Sequence, residues 1–184
     1  MRHDSNNGLN PQMLDEAKVC VQAIRKGMIA AFPTEAGWCL ACDVSNPELV
    51  EELLSNNNCK NACILLDQEG RLSRYCGALS EPVIDLISFA EKPLQLVLEG
   101  ATHPLGKEHA QIPFMIATEP FANRVSSSYG KPLLATFTEM DPHANNLLNK
   151  PCHVVNLRIS ARSNPDNIVV IRFASDGSFQ FLKS

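Results

Sequence analysis

Short apolar runs of strand length alternate along this chain with segments that carry helix start and stop signals. That alternation is the feature that most narrows the folds open to it. Met28 to Phe32 reads as a buried strand, Pro33 to Gly37 as a turn, and Trp38 to Val44 as a second strand. Further strands are expected at Ala62 to Asp67, Leu94 to Leu98, Ile112 to Ala117 and Pro132 to Phe137. Others follow at Val154 to Leu157, Ile168 to Phe173 and Phe179 to Leu182. Between them lie helices. Asn10 can cap the first and Pro11 suits its first position, after which Leu14, Ala17, Val21 and Ile24 share one face until Gly27 stops it. Asn46 and Pro47 open a helix to about Leu54, with Glu48, Glu51 and Glu52 favouring the positive end of its dipole. Glu81 to Ala90 and Pro120 to Tyr129 complete the set, the last stopped by Gly130. Strands alternating with helices predict an α/β fold: one domain over residues 11–184, a twisted mixed sheet flanked by helices, behind a flexible N-terminus at residues 1–10.

The chemistry such a fold can do is narrowed by its charge and its thiols. Net charge is −4 and no window is densely basic, which argues against a dedicated nucleic-acid binder. There are 7 cysteines, an odd count, and the polar start MRHDSNNGLN has no apolar core of a secretory signal. No apolar run approaches the roughly 20 residues that cross a bilayer. The expectation is a cytosolic protein with reduced thiols and no membrane partner.

Phe32-Pro33-Thr34-Glu35-Ala36-Gly37 is the sharpest local motif. Pro33 fixes φ and Gly37 permits a tight return, so Thr34 and Glu35 stand at the strand ends, where ligands of open α/β sheets collect. A plain surface turn would have the same residues. Cys39-x-x-Cys42 and Cys59-x-x-x-Cys63 come close to a zinc-ribbon spacing. Against zinc, Cys39 and Cys42 fall within one strand, where residues three apart face opposite sides. His103 and His109 share a loop, His143 and His153 lack a partner at ligand spacing, and neither a phosphate loop nor a nucleophile elbow occurs.

FPTEAGWCLACDVSN resembles the opening of the YrdC/YciO family, where a PTE or PTD turn leads into an aromatic-rich strand. PLQLVL, IPFMIATEPFANRV, YGKPLLATFTEMD and NPDNIVVIRFASDG are similar, in order and spacing, to the family's later blocks. The likeness runs from about residue 15 to 180, and it is most specific at the PTE turn and YGKPLLAT. It implies a YrdC/RibB-like fold and a link to tRNA threonylcarbamoyladenosine formation. Active members join threonine, bicarbonate and ATP, with Mg2+, into threonylcarbamoyl-AMP in a concave cationic pocket. Some members bind double-stranded RNA.

Carried over residue by residue, the resemblance keeps Thr34, Glu35, Thr136 and Arg172. The family's Lys-x-Arg pair falls on Asn57 and Cys59, with Lys60 the nearby cation. Its pocket arginine falls on Met115, and its Ser-x-Asn on Phe137 and Glu139. A triphosphate needs several cations or donors, and this set offers few. The nucleotide-binding candidates are Thr34, Glu35, Lys60, Thr136, Thr138 and Arg172, with Glu139 at the rim. Thr34 and Thr136 are expected to offer hydroxyls, Lys60 and Arg172 charge, and Glu35 mainly to fix the turn. The reading is a family member with catalysis weak or lost, nearer the YciO branch. Two others stand beside it: a non-catalytic binding or regulatory module with a less cationic pocket, and a zinc protein built on Cys39, Cys42, Cys59 and Cys63.

Overall fold

The computed structural model describes residues 8–143, 147–156 and 164–184. Most of the expected flexible N-terminus, and Leu157 of the expected late strand, lie outside the described residues. Helix ends form where the caps predict them. Asn10 accepts the Met13 N–H at 2.9 Å and opens α1 (Pro11–Arg25), after which Gly27 takes a positive φ of 75°. Asn46 caps α2 (Pro47–Ser55) through Leu49. α3 (Glu69–Cys76) was not expected: it is short, contains Gly70 and buries only Leu72, so it leaves no apolar periodicity to read. α4 is Glu81–Phe89, and α5 is Pro120–Tyr129, capped by the Glu119 side chain and ended by Gly130 in the left-handed region.

Among the described residues nine strands form one mixed sheet: β1 (Ile29–Thr34), β2 (Gly37–Asp43), β3 (Lys60–Leu66), β4 (Leu94–Leu98), β5 (Phe114–Ile116), β6 (Leu133–Phe137), β7 (Cys152–Val154), β8 (Val169–Phe173) and β9 (Phe179–Lys183). Their order across the sheet is β7-β1-β2-β6-β3-β5-β4-β8-β9. The pairs β1–β7, β3–β5 and β4–β8 are parallel and the rest antiparallel. β1 runs two residues further than the sequence suggests, through Pro33 and Thr34, leaving Glu35 and Ala36 as the link to β2. Gly37, at φ 106°, makes that return possible.

Side chains alternate between two cores, as the pleat requires. On one face Phe32, Cys39, Cys63, Met115 and Phe137 pack with α1 and α5. On the other Leu40, Cys42, Ile64, Leu96, Phe114 and Leu134 pack with α2, α3 and α4. Among the described residues no helix is long and apolar enough to cross a membrane.

Candidate functional site

The turn after β1 is held by Thr34. Its Oγ1 donates to the Gly37 carbonyl at 2.9 Å and accepts the Ala36 N–H at 3.1 Å. Thr34 is 6% exposed, so its hydroxyl is committed to the link. Glu35 reaches away from its own turn. Oε1 accepts the Thr118 N–H at 2.9 Å and Oε2 the Glu119 N–H at 3.2 Å. The coiled sheet thus brings the β1–β2 link against the start of α5, where orphan N–H groups favour an anion. Glu119 joins it there, accepting the Ala122 N–H at 2.8 Å. Burial lifts the Glu119 carboxyl above the usual range, against its backbone hydrogen bonds, and the Glu35 charge adds to the rise.

The remaining candidates divide. Lys60, the first residue of β3, places Nζ 3.3 Å from Glu139 Oε1, and both side chains are about half exposed. Thr138 sits beside them, its N–H donating to the Trp38 carbonyl and its Oγ1 accepting the Met140 N–H. Thr34, Thr138, Lys60 and Glu139 therefore gather where β1, β2, β6 and β3 meet their loops. Thr136 is 1% exposed, pairs with Leu40 and alternates to the α2 side of the sheet with Leu134, away from Phe137. Its hydroxyl has the Cys59 thiol nearby but no well-formed hydrogen bond. Arg172 lies on β8, with β5 and β4 between it and β3, and donates to Gln111 Oε1 at 2.5 Å.

Met115 and Phe137, the positions at which the resemblance sets the family's pocket arginine and serine, are interior. Met115 is 1% exposed and Phe137 fully buried, in one core with Cys63, Val155 and Ile168. The Cys63 and Met115 sulfurs lie 4.0 Å apart. An ATP triphosphate finds no cation at either place, and Glu139 adds a carboxylate at the rim, so these residues do not fit the nucleotide or its Mg2+.

The cysteine pairs do not converge on a metal. Cys39 and Cys63 point into the α1–α5 core, while Cys42 points into the opposite core and Cys59 packs against that same side. Burial pushes the Cys42 thiol up to about 12 and raises those of Cys39 and Cys63 as well. Among the described residues no three His, Cys, Asp or Glu side chains cluster to hold an ion.

One cavity adjoins the candidate turn. It measures about 150 Å³ and is walled by Leu72, Ile87, Leu96, Phe114 and Ile116, with Glu35 and Thr118 at its polar end. Sequence reasoning singled out Glu35 and missed the rest, because those walls come from α3, α4, β4 and β5 and meet only in three dimensions.

The family model described as "Telomere recombination" (Sua5/YciO/YrdC) matches residues 22–156. This chain belongs to the Sua5/YciO/YrdC family. It is 25% identical over 135 residues to the threonylcarbamoyl-AMP synthase of Pseudoalteromonas translucida, covering 67% of this chain and 72% of that protein. The synthase of Vibrio vulnificus is 26% identical over 140 residues, with the same coverage. The fold is similar to that of E. coli YciO, with a TM-score of 0.71 and 18% identity across 95% of this chain and 91% of that one. It is also similar to P. abyssi Sua5 complexed with L-threonine, with a TM-score of 0.66 and 16% identity over 92% of this chain and 54% of that one. At such identities the likeness to the solved structures fixes the fold.

Proposed function

We propose that this chain is a relative of the threonylcarbamoyl-AMP synthases, tied by descent to tRNA threonylcarbamoylation, in which catalysis is weak or lost. The observation that carries this reading is that Met115 and Phe137, which the resemblance sets at two family pocket positions, are sealed core. A charged phosphate cannot enter there without either a counter-charge or the cost of burying it unpaired. Lys60 is already paired with Glu139, and Arg172 is committed to Gln111 four strands along the sheet order from β6. The fold's likeness to E. coli YciO, over nearly the whole of both chains, supports our reading of the protein as nearer that branch. ATP with Mg2+, threonine and RNA remain the ligands this descent would bring. The seven unpaired cysteines suit a reducing compartment, and we place the protein in the cytosol.

A second reading is favoured by the cavity beside Glu35: a non-catalytic binding module whose pocket has turned to a less charged ligand. Its walls are apolar and it adjoins the one turn of the family pattern that this chain keeps intact.

Calorimetric titration with ATP and Mg2+, with and without L-threonine, tests the first reading. No heat up to millimolar ATP is expected. Micromolar ATP binding strengthened by threonine would overturn it and restore the synthase reading.

A further inference from the structure

The cavity beside Glu35 sets a half-buried carboxylate beside apolar side chains. Its volume, about 150 Å³, is that at which an aliphatic and aromatic cavity takes a benzene-sized guest. Glu91 and Lys92 also border it, but both are exposed at its mouth and adjacent in the chain, so they largely offset one another in solvent. Glu35 is half-buried, and among the described residues no salt bridge is made to it. Each of its oxygens accepts one backbone N–H, which leaves each with a further lone pair.

We infer that this cavity binds a compact primary amine, its ammonium group on Glu35 and a branched or aromatic body of about six carbons against Ile87, Leu96 and Phe114. A carboxylate or phosphate is disfavoured at that end by the same charge. A polar body such as that of threonine would leave its hydroxyl against hydrocarbon, at a cost. The inference rests on the reading that this site no longer serves a nucleotide, and it names the ligand class that would replace it.

The test is calorimetry on the whole chain at neutral pH with three probes of one shape: isoamylamine, isoamyl alcohol and isovalerate. The amine should bind about tenfold or more tighter than the alcohol, because only it makes a charge-assisted hydrogen bond, and isovalerate should not bind. Glu35→Gln should erase the preference for the amine over the alcohol. Since that change also touches the α5 junction, Ile87→Trp serves as a second variant. It should fill the cavity and abolish amine binding while leaving Glu35 in place. Equal binding of amine and alcohol, unchanged amine binding in Ile87→Trp, or no amine binding at all would overturn the inference. Titration of ATP on the same sample separates the two questions. Micromolar ATP binding would overturn the reading of the site, whereas silence from both ATP and amine would overturn the ligand class alone.

Discussion

Glu35 Oε1 accepts the backbone N–H of Thr118 across 83 residues of chain, joining the link after β1 to the start of α5. A residue that looks like the tip of a turn is in fact a clasp between two distant elements. Hydrogen bonds to a charged acceptor contribute about 1.5–3 kcal/mol each when buried, and less where solvent competes. Glu35→Ala should therefore destabilise the fold by about 2 kcal/mol, read as a lower urea midpoint at unchanged slope. A loss below about 0.5 kcal/mol, the range of an ordinary surface change, would show that the clasp is ornamental.

Phe137 has no exposed surface and packs in the α1–α5 core. Phe137→Ser, which installs the residue type that the family resemblance sets here, should cost about 3–5 kcal/mol through lost burial and an unfilled cavity. It should not create ATP affinity, because Met115, in the same core, is buried and offers no cation. Denaturant unfolding and an ATP titration of the same variant check both halves.

Tyr129 donates its hydroxyl to the Asp43 carboxylate across the α5–β2 contact. Burial alone would raise Asp43, but the hydrogen bonds from Tyr129 and Ser45 outweigh it and hold its carboxyl below the usual range. A folded-state value below the unfolded one means stability that is full above the ordinary carboxylate range, near pH ~4, and that drains as pH falls through the lowered value. Tyr129→Phe should thus be destabilising by about 1–3 kcal/mol near neutrality. The gap from the unsubstituted protein should narrow on acidification below pH ~4. A gap independent of pH would mean that the hydroxyl acts through packing alone.

Four thiols, Cys20, Cys39, Cys42 and Cys63, are buried, and Cys59, Cys76 and Cys152 are half-buried. Alkylation followed by mass spectrometry should modify Cys59, Cys76 and Cys152 in the native protein. The buried four should react only at the rate of unfolding. Treatment with a zinc chelator should leave the melting temperature unchanged. A chelator-induced drop would revive the metal reading that the two-faced placement of Cys39 and Cys42 contradicts.

Much of the fold could be read from local chemistry. Asn10, Asn46 and Gly130 act over three or four residues, and so does the apolar run that defines β4, whose bounds match those expected. α3 escaped because its single buried residue, Leu72, makes no period. The site was legible only in part. That Glu35 was worth singling out followed from its place after Pro33, but its true partners, Thr118 and Glu119, depend on how the sheet coils. The facing of Thr136 was in principle readable from alternation with Phe137, since one of the two must turn from Thr34's side of the sheet. Nothing short of the register pairing Phe137 with both Cys39 and Lys60 shows which.

The packing of Met115 against Cys63 and of Phe137 within the same core makes the change of site hard to undo. Each step back toward a charged pocket, taken alone, would open a hole or bury an unmatched guanidinium before any ligand could repay it. Against a total stability of about 5–15 kcal/mol, one such step removes a large share and two could unfold the chain. On the proposed reading, the present interior works as a ratchet against any return to a charged pocket.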